Sequence, residues 1–110
     1  MKKTAIVLEG VLKEEFSRLK EAEKSYRREI RKLPKGSLQK KKIKGLLYAY
    51  LAYRKGNVVL RHYLGRFSEL EHKKLMEQIA LRQKYEKMLQ AVRQNQKRVR
   101  QMIHGRKKSV

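Results

Sequence analysis

Cysteine, tryptophan and aspartate are absent from the 110 residues, and proline occurs once. Without cysteine there is no disulfide framework and no thiolate metal site, a composition that suits a reducing compartment. Without aspartate, all ten acids are glutamate, and no Asp stands ready to orient a catalytic histidine. Long apolar runs are missing too, and no stretch approaches the roughly 18 residues that read as a bilayer span. The opening MKKTAIVL has the lysines and short apolar run with which a bacterial signal peptide begins, but Glu9 and Gly10 interrupt it before an apolar region of sufficient length is complete. The expectation is an intracellular, cytoplasmic chain, the cytoplasm of an infected host cell included.

Positive charge is what the sequence has in excess. Lys and Arg number 31, for a formal charge of +21. A charge of that size opposes compaction by self-repulsion and concentrates polyanions at the surface, so it speaks first about partners. The excess is uneven along the chain. Residues 1–33 hold ten basic and six acidic residues, 34–66 hold nine and none, and 67–110 hold twelve and four, with no acid after Glu86. Length alone suggests a single domain with a modest core.

Leu12, Phe16, Leu19, Tyr26, Ile30 and Leu33 recur with 4,3 spacing, Glu23 taking the remaining seam position, which predicts a helix over 8–33 with a narrow apolar stripe. Pro34 and Gly36 end it. Residues 34–45 read as a basic connecting loop. From Leu46 the period becomes two, Gly56-Asn57 is a two-residue hairpin signal, and Val58 to Leu64 supplies the returning strand, so 46–64 reads as a β-hairpin. In that register Lys55 faces Val58, Tyr53 faces Leu60, Leu51 faces His62 and Ala49 faces Leu64. Leu47, Leu51, Tyr53, Val58, Leu60 and Leu64 then share an apolar face that needs cover. Tyr48, Tyr50, Arg54, Arg61 and Tyr63 share the opposite face, Tyr50 directly across from Tyr63.

Ser68-Glu69-Leu70-Glu71 has the form of a capping box, which starts a second helix over 68–103. Leu81, Tyr85, Met88, Val92, Val99 and Met102 continue at 4,3 spacing with Asn95 in the seam, where a polar residue fixes coiled-coil register or oligomeric state. Gly105 reads as the stop, and 104–110 as a basic tail. An isolated two-stranded hairpin is marginal in water, so the helices must pair with each other or with a second chain. The fold class is α+β and mostly α: long helix, two-stranded hairpin, long helix, the helices pairing as an antiparallel coiled-coil-like hairpin. The seam of Tyr85, Met88, Val92, Asn95 and Val99 is the surface for a homodimer or partner helix.

Leu33-Pro34-Lys35-Gly36-Ser37-Leu38, followed by Tyr48 to Gly56 and by Tyr63-Leu64-Gly65, carries a family resemblance. Over roughly residues 20–103 the chain resembles small uncharacterised prokaryotic and phage-borne proteins. They share a helix, a P-x-G-S-L segment, a Tyr-rich hairpin and a charged coiled-coil helix. The resemblance implies this fold and no activity.

The candidate contacts are all cationic or aromatic. Tyr48, Tyr50, Arg54, Arg61 and Tyr63, flanked by Lys40, Lys41, Lys42, Lys44, Lys55 and Arg66, combine rings on which bases stack with cations that neutralise phosphates. The competing reading is a sheet face that packs against protein, since tyrosine forms strands whatever it touches. The four lysines at 40–44 are harder to explain as structure, because no nearby acid offsets them. Arg93, Lys97 and Arg100 fall on one side of the second helix, opposite the expected seam, as a stripe able to track a phosphate backbone or simply to solubilise. Glu69-x-x-His72 is a single step of a motif that needs two such steps and further carboxylates to bind di-iron, so neither metal nor cofactor is expected. His62 and His104 have no acid/base partner in the sequence pattern, and no catalysis is expected. These patterns point to DNA, RNA or a ribonucleoprotein, bound by backbone and shape rather than by sequence. The alternatives are a phage or mobile-element adaptor that docks on a defence or nucleic-acid-processing complex, and an antitoxin-like neutraliser of an acidic protein.

Overall fold

The computed structural model describes the backbone of residues 2–108 and the side chains of residues 8–105. In chain order the elements are helix α1 (Lys2–Arg31), strands β1 (Ser37–Ile43), β2 (Leu46–Lys55) and β3 (Val58–Arg66), and helix α2 (Glu69–Lys108). The chain divides into two compact units, one of residues 1–30 with 85–110 and the other of residues 31–84, so α2 contributes to both.

The first unit is an antiparallel helix pair. Tyr26 of α1 meets Tyr85 of α2 with ring centroids 6.0 Å apart, Glu23 meets Arg93, and Phe16 lies beneath Arg100, so contacts ascend one helix as they descend the other. The α1 stripe is the expected one. Leu19 and Ile30 are buried, and Leu12, Phe16, Glu23 and Tyr26 half-buried. Each apolar side chain so covered contributes up to roughly 1.5 to 3 kcal/mol.

The facing stripe of α2 differs from the expected one in every second position. Tyr85, Val92 and Val99 lie in the seam, but between them stand Leu89, Gln96 and Ile103, while Met88, Asn95 and Met102 are exposed. Both choices keep a mean period of 3.5, because the step from Tyr85 to Val92 divides equally well as 3 then 4 or as 4 then 3. Met88 and Leu89 are both apolar, and Asn95 and Gln96 both amides, so the pattern alone does not separate them. The seam amide is therefore Gln96, and its Nε2 is buried without a hydrogen-bond partner.

The second unit is a three-stranded antiparallel sheet in the order β1-β2-β3, together with the first turns of α2. Two corrections to the expected hairpin follow. Most of the segment expected as a connecting loop is β1, which pairs with β2 from Ser37 opposite Ala52 to Ile43 opposite Leu46. Lysine-rich strands are poor in β-propensity, so Lys40-Lys41-Lys42 reads as loop, yet an edge strand tolerates and even exploits exposed lysine. The sequence signal for the turn is Lys44-Gly45: both residues take positive φ, 51° and 84°, as a two-residue type I′ turn requires.

The second correction concerns register. Lys55 pairs with Val58, Tyr53 with Leu60, Leu51 with His62 and Tyr50 with Tyr63, as expected, but Ala49 pairs with Gly65 rather than Leu64. A bulge at this point leaves Leu64 as an extra residue. Below it, the Phe67 amide donates to the Leu47 carbonyl at 2.9 Å and carries the chain back over the sheet.

Ser68 stands at the N-cap of α2, where its carbonyl accepts the first helical hydrogen bond from the His72 amide at 2.9 Å. Leu38, Ala49 and Leu64 on one sheet face line a cleft with His72, Leu75 and Gln78 of the helix, and Ile79 is buried one turn further on. Arg82 donates to the Leu33 carbonyl at 2.6 Å and so satisfies backbone freed where α1 ends before Pro34. At its other end α2 passes through Gly105, expected as a stop, and continues to Lys108. The last residues of the expected basic tail, 109–110, lie outside the described residues.

Candidate nucleic-acid interface

The sheet has two unlike faces. On the face away from the α2 cleft, β2 presents Tyr48, Tyr50 and Ala52, β3 presents Tyr63 and Arg61, and β1 presents Gln39, Lys41 and Ile43, by the strict alternation of side chains along each strand. Tyr63 sits between the other rings, 5.4 Å from Tyr50 and 6.1 Å from Tyr48, at interplanar angles of 53° and 44°. Tilted by that much, the rings do not stack on one another, and Tyr63 is 53% exposed. The Arg61 Nε donates to the Gln39 Oε1 at 3.2 Å, which fixes both side chains across the width of the sheet.

Two depressions open on this face. One, of about 570 Å³, is lined by Gln39, Lys40, Lys41, Tyr50 and Arg61, the other, of about 330 Å³, by Ile43, Tyr48, Tyr50 and Tyr63. Tyr50 borders both, and only strand residues line them. Ala52 is buried on the same face, between Ser37 of β1 and Arg61 of β3.

The cations divide by position. Lys41 belongs to the tyrosine face. Lys40 and Lys42 point to the other side of β1, with the Lys40 ammonium 4.3 Å above the centre of the Phe67 ring. Lys44 occupies the β1-β2 turn. Arg54 and Lys55 lie beyond the last residue that β1 covers, on the two-stranded tip of β2 and β3, and Arg66 pairs with Tyr48 at the end of β3 and borders the α2 cleft. All of them are exposed. The acids of this unit, Glu69, Glu71 and Glu77, lie on α2, and the sheet itself has none.

Arg93, Lys97 and Arg100 belong to the helix pair. Because the seam runs through Leu89, Gln96 and Ile103, Arg93 and Arg100 flank it rather than oppose it. Arg93 is 3.3 Å from the Glu23 carboxylate, and the Arg100 guanidinium lies 5.5 Å over the Phe16 ring. Lys97 is exposed.

Gln39, Ile43 and Ala52 escape a reading of the sequence for charge and aromatic content. The first two become visible only once β1 is recognised as a strand. Among the described residues no group of three or more His, Cys, Asp or Glu is placed to hold a metal, and no helix is long and apolar enough to cross a membrane. No family model, curated protein or solved structure matches the chain.

Proposed function

We propose that the chain is a non-catalytic nucleic-acid-binding protein that grips the phosphate backbone of DNA or RNA by shape rather than sequence, principally through the basic sheet, with Lys97 and its neighbours on α2 adding charge. The observation that carries this reading is the sheet itself: nine cations and no acid in residues 34–66, seven of the nine on strands and all nine exposed. Uncompensated charge on a rigid surface favours a polyanion, whose bound counterions are released on contact. The exposed cations on edge strands β1 and β3 also discourage edge-to-edge pairing, but that purpose needs no tyrosine platform on central strand β2.

Fluorescence anisotropy with a labelled oligonucleotide across a salt series tests the reading. If about six to ten phosphates are neutralised, affinity falls on the order of a thousandfold or more between about 50 and 200 mM salt. A shallow dependence contradicts it.

One observation favours an adaptor instead. The sheet face directed toward α2 is incompletely covered: Leu47 is 42% exposed, Val58 58%, Leu60 37% and Leu64 39%. In that case purified protein forms a discrete heteromer with an acidic protein and carries no nucleic acid, as light scattering and the absorbance ratio before nuclease treatment report.

A further inference from the structure

We infer that the tyrosine face of the sheet is a site for two successive unpaired bases of a single strand, divided by Tyr50. The inference rests on the nucleic-acid reading and names its substrate class. Three features of the face carry it.

The first is breadth. A two-stranded ribbon enters a major groove, which is about 12 Å wide. Three strands spaced about 4.8 Å apart, with the backbone of the outer two, span roughly 14 Å. The face around Tyr50 lies where all three strands are paired, Gln39 on one side and Tyr63 on the other, a platform broader than a ribbon on which splayed bases can lie across the strands.

The second is the chemistry of the two depressions. Both are open to solvent and suit a ring laid on the surface rather than an enclosed ligand. One has an aromatic wall in Tyr50 and, opposite, the Gln39 amide and the Arg61 guanidinium, which are donors and acceptors for the edge of a base. The other is apolar and aromatic, with Ile43, Tyr48 and Tyr63 around Tyr50, and takes the face of a base without reading its edge. A splayed single strand offers faces and edges in this way.

The third is the arrangement of charge. Lys41 borders the first depression on the tyrosine face, where a strand that seats one base against Tyr50 brings its phosphate to the β1 edge. Tyr63 is in tilted contact with both Tyr50 and Tyr48 and is still 53% exposed, so the cluster is held together while offering ring surface to a base.

The test compares Tyr50→Ala, Tyr50→Phe and wild-type protein for binding to a labelled oligouridylate and to a duplex of equal length, at matched salt, with circular dichroism as the control for folding. Tyr50→Ala lowers affinity for the single strand by about tenfold to a hundredfold while its salt dependence is unchanged, Tyr50→Phe retains affinity, and duplex binding is insensitive to both. Equal losses for the two probes, or no loss for the single strand, overturn the inference and leave the polyanion reading standing. If wild-type protein binds neither probe at low salt, both fall.

Discussion

Gly36 shows how tightly one residue constrains the sheet. Its φ is 127°, and a Cβ there would collide with the backbone carbonyl oxygen of Ala52 and press on the Tyr53 side chain. The strained dihedral and the collision act together, because the start of β1 must approach β2 closely to pair Ser37 with Ala52. Gly36→Ala is expected to destabilise the protein by about 2 to 3 kcal/mol, measured by chemical denaturation, and to loosen β1 first. Amide exchange at Leu38 and Lys40 that is no faster than in wild type would place the constraint elsewhere. Glu23 is a quieter case. It interrupts the apolar stripe of α1, and its carboxylate is met by Arg93, a partly exposed pair worth about 1 kcal/mol.

Among the elements, α2 carries the sharpest test of packing. Gln96 is 8% exposed with an unpartnered Nε2, whereas Asn95 beside it is exposed. A buried amide donor without a partner costs roughly 1 to 3 kcal/mol. Gln96→Leu is accordingly expected to raise the thermal midpoint, and Asn95→Leu to leave it within error. The reverse order in differential scanning calorimetry would restore Asn95 to the seam. The elements also differ in how far the sequence disclosed them. The α1 stripe was legible because Leu19, Tyr26 and Ile30 have polar neighbours on the flanking positions, so only one 4,3 pattern fits. The α2 stripe was half legible, since Met88-Leu89 and Asn95-Gln96 offer like residues on adjacent positions and the choice falls to the facing surface of α1. The β2-β3 hairpin was legible from Gly56-Asn57 down to Tyr50 opposite Tyr63, and failed at Leu64, where a bulge obeys tertiary fit rather than alternation. Strand β1 was hidden by its lysines. The tyrosine cluster was therefore found from sequence, and the Gln39 side of the same face was not.

At the scale of the whole molecule, a formal charge of +21 is distributed so that the helices pair some of their cations with glutamates, Lys13 with Glu9, Arg18 with Glu15, Lys24 with Glu21 and Arg93 with Glu23, while the sheet has no acid to offer. The proposed binding surface rests on that division. The direct measurement is the slope of log affinity against log salt for a labelled oligonucleotide, taken for wild-type protein, for a variant with Lys40, Lys41, Lys42 and Lys44 all changed to Gln, and for one with Arg93, Lys97 and Arg100 changed to Gln. Each phosphate contact contributes about 0.7 to 0.9 to that slope. The sheet variant is expected to lose about three units of slope and to weaken for all sequences alike. The helix variant is expected to lose less, because Arg93 and Arg100 are engaged with Glu23 and Phe16. An unchanged slope in the sheet variant, with its fold intact, would contradict the account.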